Sequence, residues 1–97
     1  MDDPQLMREI VGALIEDTSR QIGLIEMAIR DQDARRCARL AHYSRGACGN
    51  CGANAAAAVL LQLERQAAEG SMAGCLESLK ALAREVDRLR AASEPRG

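Results

Sequence analysis

One histidine and four cysteines are the side chains of this 97-residue chain best suited to nucleophilic or metal-binding chemistry. They converge in LAHYSRGACGNCGA, Leu40 to Ala53, where His42 stands six residues ahead of the Cys48-x-x-Cys51 pair. A CxxC pair is the pattern of thiol–disulfide exchange or of half a zinc site. A histidine followed by Arg45 and Gly46 points elsewhere, to phosphoryl or proton transfer. A neutral imidazole has a lone pair on one ring nitrogen and a proton on the other, so it can attack only if something fixes which is which.

The elements that must position these groups read as helices. From Pro4 to Arg30 the apolar residues Leu6, Ile10, Ala13, Leu14, Ile22, Ile25 and Ile29 keep close to helical spacing. Pro4 suits a first helical turn. The stripe thins at Asp17, Thr18 and Ser19, residues that favour caps, so one long helix, with these residues the place for any kink, is expected in preference to two. Asp33 can cap a second helix from Ala34 to about Cys48, ended by Gly49, Asn50 and Gly52. A third helix runs from Ala53 to Glu69 on Ala56, Val59, Leu60, Leu63 and Ala67, and Gly70 ends it. Ser71 can cap a fourth, with Leu76, Leu79, Leu82, Val86 and Leu89 facing the core. Connections this short make neighbours antiparallel. The expected fold is all-α, an up-down-up-down four-helix bundle over residues 1–92, with a flexible tail over 93–97. The only aromatic is Tyr43, so the core must be aliphatic, which also favours helices over sheet.

At about 100° per residue, Arg35, Ala38, Arg39, Arg45, Gly46 and Gly49 fall within about 60° of His42 on the second helix. Cys37, Leu40, Ser44, Cys48 and Cys51 fall on the opposite side. His42 is therefore expected on the solvent face and the cysteines mostly on the core face. Redox CxxC pairs sit at helix N-termini, where the dipole lowers a thiol pKa, whereas this pair lies at a C-terminal end. A structural zinc site needs four ligands, and Cys37 and Cys75 form no second close pair. Thiol-redox or metal chemistry is one alternative reading, with small core hydrophobes the default for the cysteines, and an interaction module that is never phosphorylated on His42 is another. A glycine costs roughly 1 kcal/mol inside a helix, so Gly46 needs a reason, and access to the imidazole is one.

His42, Arg45, Gly46, Asn50, Gly52 and Ala53 resemble the signature of histidine-containing phosphotransfer (HPt) domains. There a histidine, preceded by Ala, is followed by Lys or Arg at the third position, Gly at the fourth, often Asn at the eighth, and Gly-Ala at the tenth and eleventh. LLQLERQA in the third helix is similar to the family's LxxLE segment and puts Glu64 at the position whose Glu or Gln hydrogen-bonds the imidazole. The similarity extends from about Leu14 to Leu89. Ser44 departs from it, standing where the family has a buried leucine, as do Cys37, Cys48 and Cys51.

The resemblance implies a phosphocarrier without kinase activity of its own. His42 is the expected phosphoacceptor, with Glu64 holding the Nδ1 proton and Arg45 partly neutralising the phosphoryl group. Response-regulator receiver domains are the implied partners, and the domain could be excised from a hybrid histidine kinase. The receiver would supply the phosphoaspartate and Mg²⁺. No cofactor of its own is expected, since neither a phosphate-binding glycine loop nor an acidic cluster around His42 is present. Arg35, Ala38, Arg39, Gly46, Gly49 and Leu61 form the expected docking rim. Thirteen basic residues against fourteen acids give a net charge of -1, which provides no general field for nucleic acid. No apolar run is long enough to span a bilayer, so a cytoplasmic monomer without membrane contact is expected.

Overall fold

The computed structural model describes residues 3–93, which form four helices: α1 (Pro4–Arg30), α2 (Ala34–Asn50), α3 (Asn54–Ala68) and α4 (Met72–Ser93). Each helix packs on its neighbours in the cyclic order α1, α2, α3, α4, with the most extensive interface between α2 and α3. This is the up-down-up-down bundle. The tail was expected from residue 93, but α4 continues through Ser93, and residues 94–97 lie outside the described ones.

The helix ends follow one chemical pattern. Asp3 accepts from the amides of Gln5 and Leu6, Asp33 from Arg36, and the Ser71 hydroxyl from Gly74, so α1, α2 and α4 start on side-chain caps. At the other ends, Asp33 N donates to Ala28 O, Ala53 N to Cys48 O and Ser71 N to Gln66 O. Bonds spanning three residues run from the amides of Gln32 to Ile29 O, Gly52 to Gly49 O and Gly70 to Ala67 O. These are Schellman turns, which need a left-handed residue after the C-cap. Gly52 and Gly70 supply it at φ 78° and 75°, and Gln32 does so at 56°.

The core is aliphatic, centred on Ile25, Leu60, Leu63 and Leu82, with Cys37, Cys48 and Cys75 fully buried among them. Three expectations about it need correction. Leu6 and Ile10 follow the apolar spacing of a core face but are 51% and 39% exposed. The cause is length: α1 has 27 residues against 17 and 15 for α2 and α3, so its first turns run past the α2–α3 connection. Ala13 is exposed as well, and burial begins at Leu14. The thin part of the α1 stripe is no break, in line with the single helix expected: Thr18 is buried and its hydroxyl lies 3.8 Å from the Cys48 thiol. In α4, Leu76 is exposed while Cys75 and Ser78 turn inward. Cys51 is exposed rather than core-facing. Helical phase stops at Asn50, and Cys51 is the capping residue beyond it.

Candidate functional site

α2 and α3 lie side by side, which brings His42 next to Glu64, 22 residues further along the chain. His42 Nδ1 is 3.1 Å from Glu64 Oε2. Arg45, one turn after His42 on the same helix face, donates from Nε to Glu64 Oε1 at 3.0 Å, and its Nη2 lies 3.1 Å from His42 Nδ1. The three residues expected to carry the chemistry thus form one connected cluster. His42 is 66% exposed at its side chain and Glu64 26%, so the carboxylate forms the floor and the imidazole stands up from it. The hydrogen bonds of the cluster involve Nδ1 and not Nε2.

Partial burial by itself would push the Glu64 carboxyl up. Hydrogen bonds from Arg45 and His42, reinforced by the Arg45 charge, outweigh that and hold it below the usual carboxylate range. Glu64 is therefore an ionised acceptor at neutral pH. An ion pair this open to water contributes only about 0–1 kcal/mol to folding, so its effect is to fix geometry rather than to hold the bundle together. The Arg45 guanidinium lies folded down onto Glu64.

Two shallow hollows flank the cluster. One is lined by Ala38, Arg39, His42, Tyr43 and Glu64. The other runs between α2 and α3 past Arg45, Gly46, Gly49, Ala57 and Leu61. Of the anticipated docking residues, Ala38, Arg39, Gly46, Gly49 and Leu61 border these hollows, while Arg35 is exposed but borders neither. A Cβ built on Gly46 or Gly49 would meet no atom within 4 Å. Neither glycine is needed for helix packing. Leu61 is half-buried and stands apart from the hydrophobics packed on the core. Sequence reasoning missed Tyr43, 55% exposed beside His42. Its place one residue after the histidine, as the sole aromatic, was the available signal.

The CxxC pair is split by the helix end. Cys48 is buried against Thr18, and burial raises its thiol pKa, whereas Cys51 faces outward. Among the described residues no group of His, Cys, Asp and Glu is arranged to hold a metal ion, and no helix is long and apolar enough to cross a membrane. Ser44, beneath the histidine face, is buried with its hydroxyl unpartnered.

Comparison with known families gives a match to the Hpt domain over residues 9–92. Searches among curated proteins and among solved structures found no significant match. The match spans α2, α3 and most of α1 and α4, and so includes the whole His42–Arg45–Glu64 cluster. On that basis the chain belongs to the Hpt family, the histidine phosphocarrier domains that interact with receiver domains in phosphorelays.

Proposed function

We propose that His42 is the phosphoacceptor and that the bundle within residues 1–92 shuttles a phosphoryl group between two receiver domains, in either direction. The observation that carries this reading is the Nδ1 contact to Glu64 on an otherwise exposed ring. A carboxylate that takes the Nδ1 proton leaves the Nε2 lone pair facing solvent. Nε2 attacks the phosphorus of a receiver's aspartyl phosphate. The N–P bond forms as the P–O bond breaks, and the electron pair returns to the aspartate. The imidazole becomes cationic, and ionised Glu64 stabilises it.

The receiver supplies the acyl phosphate and the Mg²⁺ that offsets its charge, while this chain contributes the nucleophile and the surface around it. Ala38 and Arg39 share a hollow with the ring, Gly46, Gly49 and Leu61 line the neighbouring one, and Arg35 lies further along the same helix, so the receiver would meet them around His42. The glycines leave room for its loops, and Leu61 offers an apolar contact. The domain works as a monomer in the cytoplasm, either free or joined to a hybrid histidine kinase. Incubation with a phosphorylated cognate receiver should label the wild-type domain, through an acid-labile and base-stable bond, and should not label His42→Gln. Equal labelling of both proteins would refute the assignment.

A further inference from the structure

The chain has a single aromatic side chain, Tyr43, and the core does not use it. Aliphatic residues and cysteines fill the interior, while the phenol ring stands 55% exposed on α2, next in sequence to His42. The other exposed large hydrophobics among the described residues, Leu6, Met7, Ile10, Met27 and Leu76, all belong to α1 and α4. On the two helices that build the site, Tyr43 is therefore the large apolar group left open to solvent. It lines one hollow together with Ala38, Arg39, His42 and Glu64. Tyrosine is a poorer helix former than alanine or leucine, so neither packing nor propensity accounts for it at this position.

We infer that Tyr43 is the docking anchor for the receiver: its ring is covered when the receiver comes down over the imidazole, and it sets receiver affinity without taking part in phosphoryl transfer. This rests on His42 being the phosphoacceptor, and it adds the residue that selects the partner. Even a transient contact buries about 600 Å² of each protein, a patch reaching roughly 14 Å from its centre. A side chain that follows the nucleophile in sequence and lines the same hollow falls inside that patch. Its neighbours there offer less. Ala38, Gly46 and Gly49 present little side-chain surface, Leu61 is half-buried, and Arg45 and Glu64 are tied to each other. A tyrosine brings a large, rigid apolar surface at low entropic cost, and interface affinity concentrates on Tyr, Trp and Arg. Charge fits the same partner. Arg35 and Arg39 are on this side of α2 and make no ion pair among the described residues. A receiver bearing an aspartyl phosphate brings negative charge to that face, so the two cations draw it towards the ring.

Single-turnover transfer from a phosphorylated receiver domain, followed against receiver concentration, separates docking from chemistry. Tyr43→Ala should raise the half-saturating receiver concentration at least about tenfold and leave the limiting rate at saturation unchanged. Tyr43→Phe, which keeps the ring, should retain most of the affinity. Leu76→Ala, which removes an exposed leucine from α4, should saturate like wild type. Phosphoramidate, a donor too small to need a docking surface, should label wild type and Tyr43→Ala at the same rate. The contact can also be read directly. As the only tyrosine, residue 43 gives one ¹⁹F resonance in the full chain labelled with 3-fluorotyrosine, and that resonance should shift as receiver is added. An unchanged half-saturating concentration in Tyr43→Ala, or a resonance that stays in place at a receiver concentration saturating for transfer, would overturn the anchor. Slower labelling of Tyr43→Ala by phosphoramidate would overturn it too, by placing Tyr43 in the chemistry of His42. Circular dichroism confirms that each variant is folded. If no receiver labels the wild type, the phosphoacceptor reading falls and the anchor with it; if the wild type is labelled and Tyr43→Ala saturates alike, only the anchor falls.

Discussion

Gly46 offers a perturbation whose effects on stability and on transfer should have opposite signs. It lies within α2, one turn beyond His42, on an exposed face where an added Cβ meets nothing within 4 Å. Gly46→Ala therefore removes the conformational freedom of glycine in the unfolded chain and introduces no clash in the folded one. The gain should approach the full difference in helix propensity, about 1 kcal/mol. In a domain of this size that corresponds to a Tm higher by about 4–8 °C. With a urea m-value of about 1–3 kcal/mol/M, the midpoint should rise by about 0.3–1 M. A longer side chain at the same place, Gly46→Gln, should retain part of that gain but stand in the hollow bordered by Gly49, Ala57 and Leu61. Transfer from a phosphorylated receiver should then fall at least about tenfold, roughly 1.4 kcal/mol of lost complementarity. The assays are urea unfolding followed by circular dichroism and a single-turnover phosphotransfer time course on the same preparations. A lower midpoint for Gly46→Ala would refute the account of α2 at this position. Wild-type transfer rates for Gly46→Gln would show that the space over Gly46 is not used by a partner.

Two further outcomes can be checked without a partner. Burial, with smaller contributions from Cys75 and Asp33, pushes the Cys37 thiol up to about 11, and burial also raises Cys48 and Cys75. Raised pKa values keep these thiols protonated and unreactive, so at pH 8 the native protein should expose one fast-reacting thiol, Cys51, and the other three only in denaturant; two or more fast thiols would contradict the packing. Ser44→Ala should stabilise the fold by about 1 kcal/mol, because it removes a buried hydroxyl that has no partner, and a lower urea midpoint would mean that the hydroxyl is bonded after all, by a buried water for instance.

The periodic apolar stripes were sufficient to find all four helices, since each helix buries one face and its ends carry chemically specific residues. Asp3, Asp33 and Ser71 mark three starts, and Gly52 and Gly70 mark two of the stops. The stop at Gln32 has no such mark, yet the backbone makes the same Schellman turn there with a non-glycine residue in the left-handed region. The apolar pattern failed where neighbours were missing. Leu6 and Ile10 have core spacing, but burial requires a second helix at the same level, and α2 and α3 are too short to reach them.

At the site, spacing along a helix fixes which residues share a face but not where a long side chain ends. His42 and Arg45 are one turn apart, and that alone identified their common face. The reach of Glu64 from α3 depends on the register between two helices, and the family pattern at its position supplied it. Neither source could show that Arg45 bonds downward to Glu64 and sideways to Nδ1 rather than outward to solvent, because the rotamers of arginine differ little in energy until a partner selects one. That partner is the Glu64 carboxylate. A glutamine there would offer a neutral carbonyl in place of an ionised oxygen, with a weaker hold on the guanidinium. Glutamate at 64 thus ties His42 and its neighbouring cation to the same group, so the position of the Arg45 guanidinium is set by the carboxylate beneath the ring.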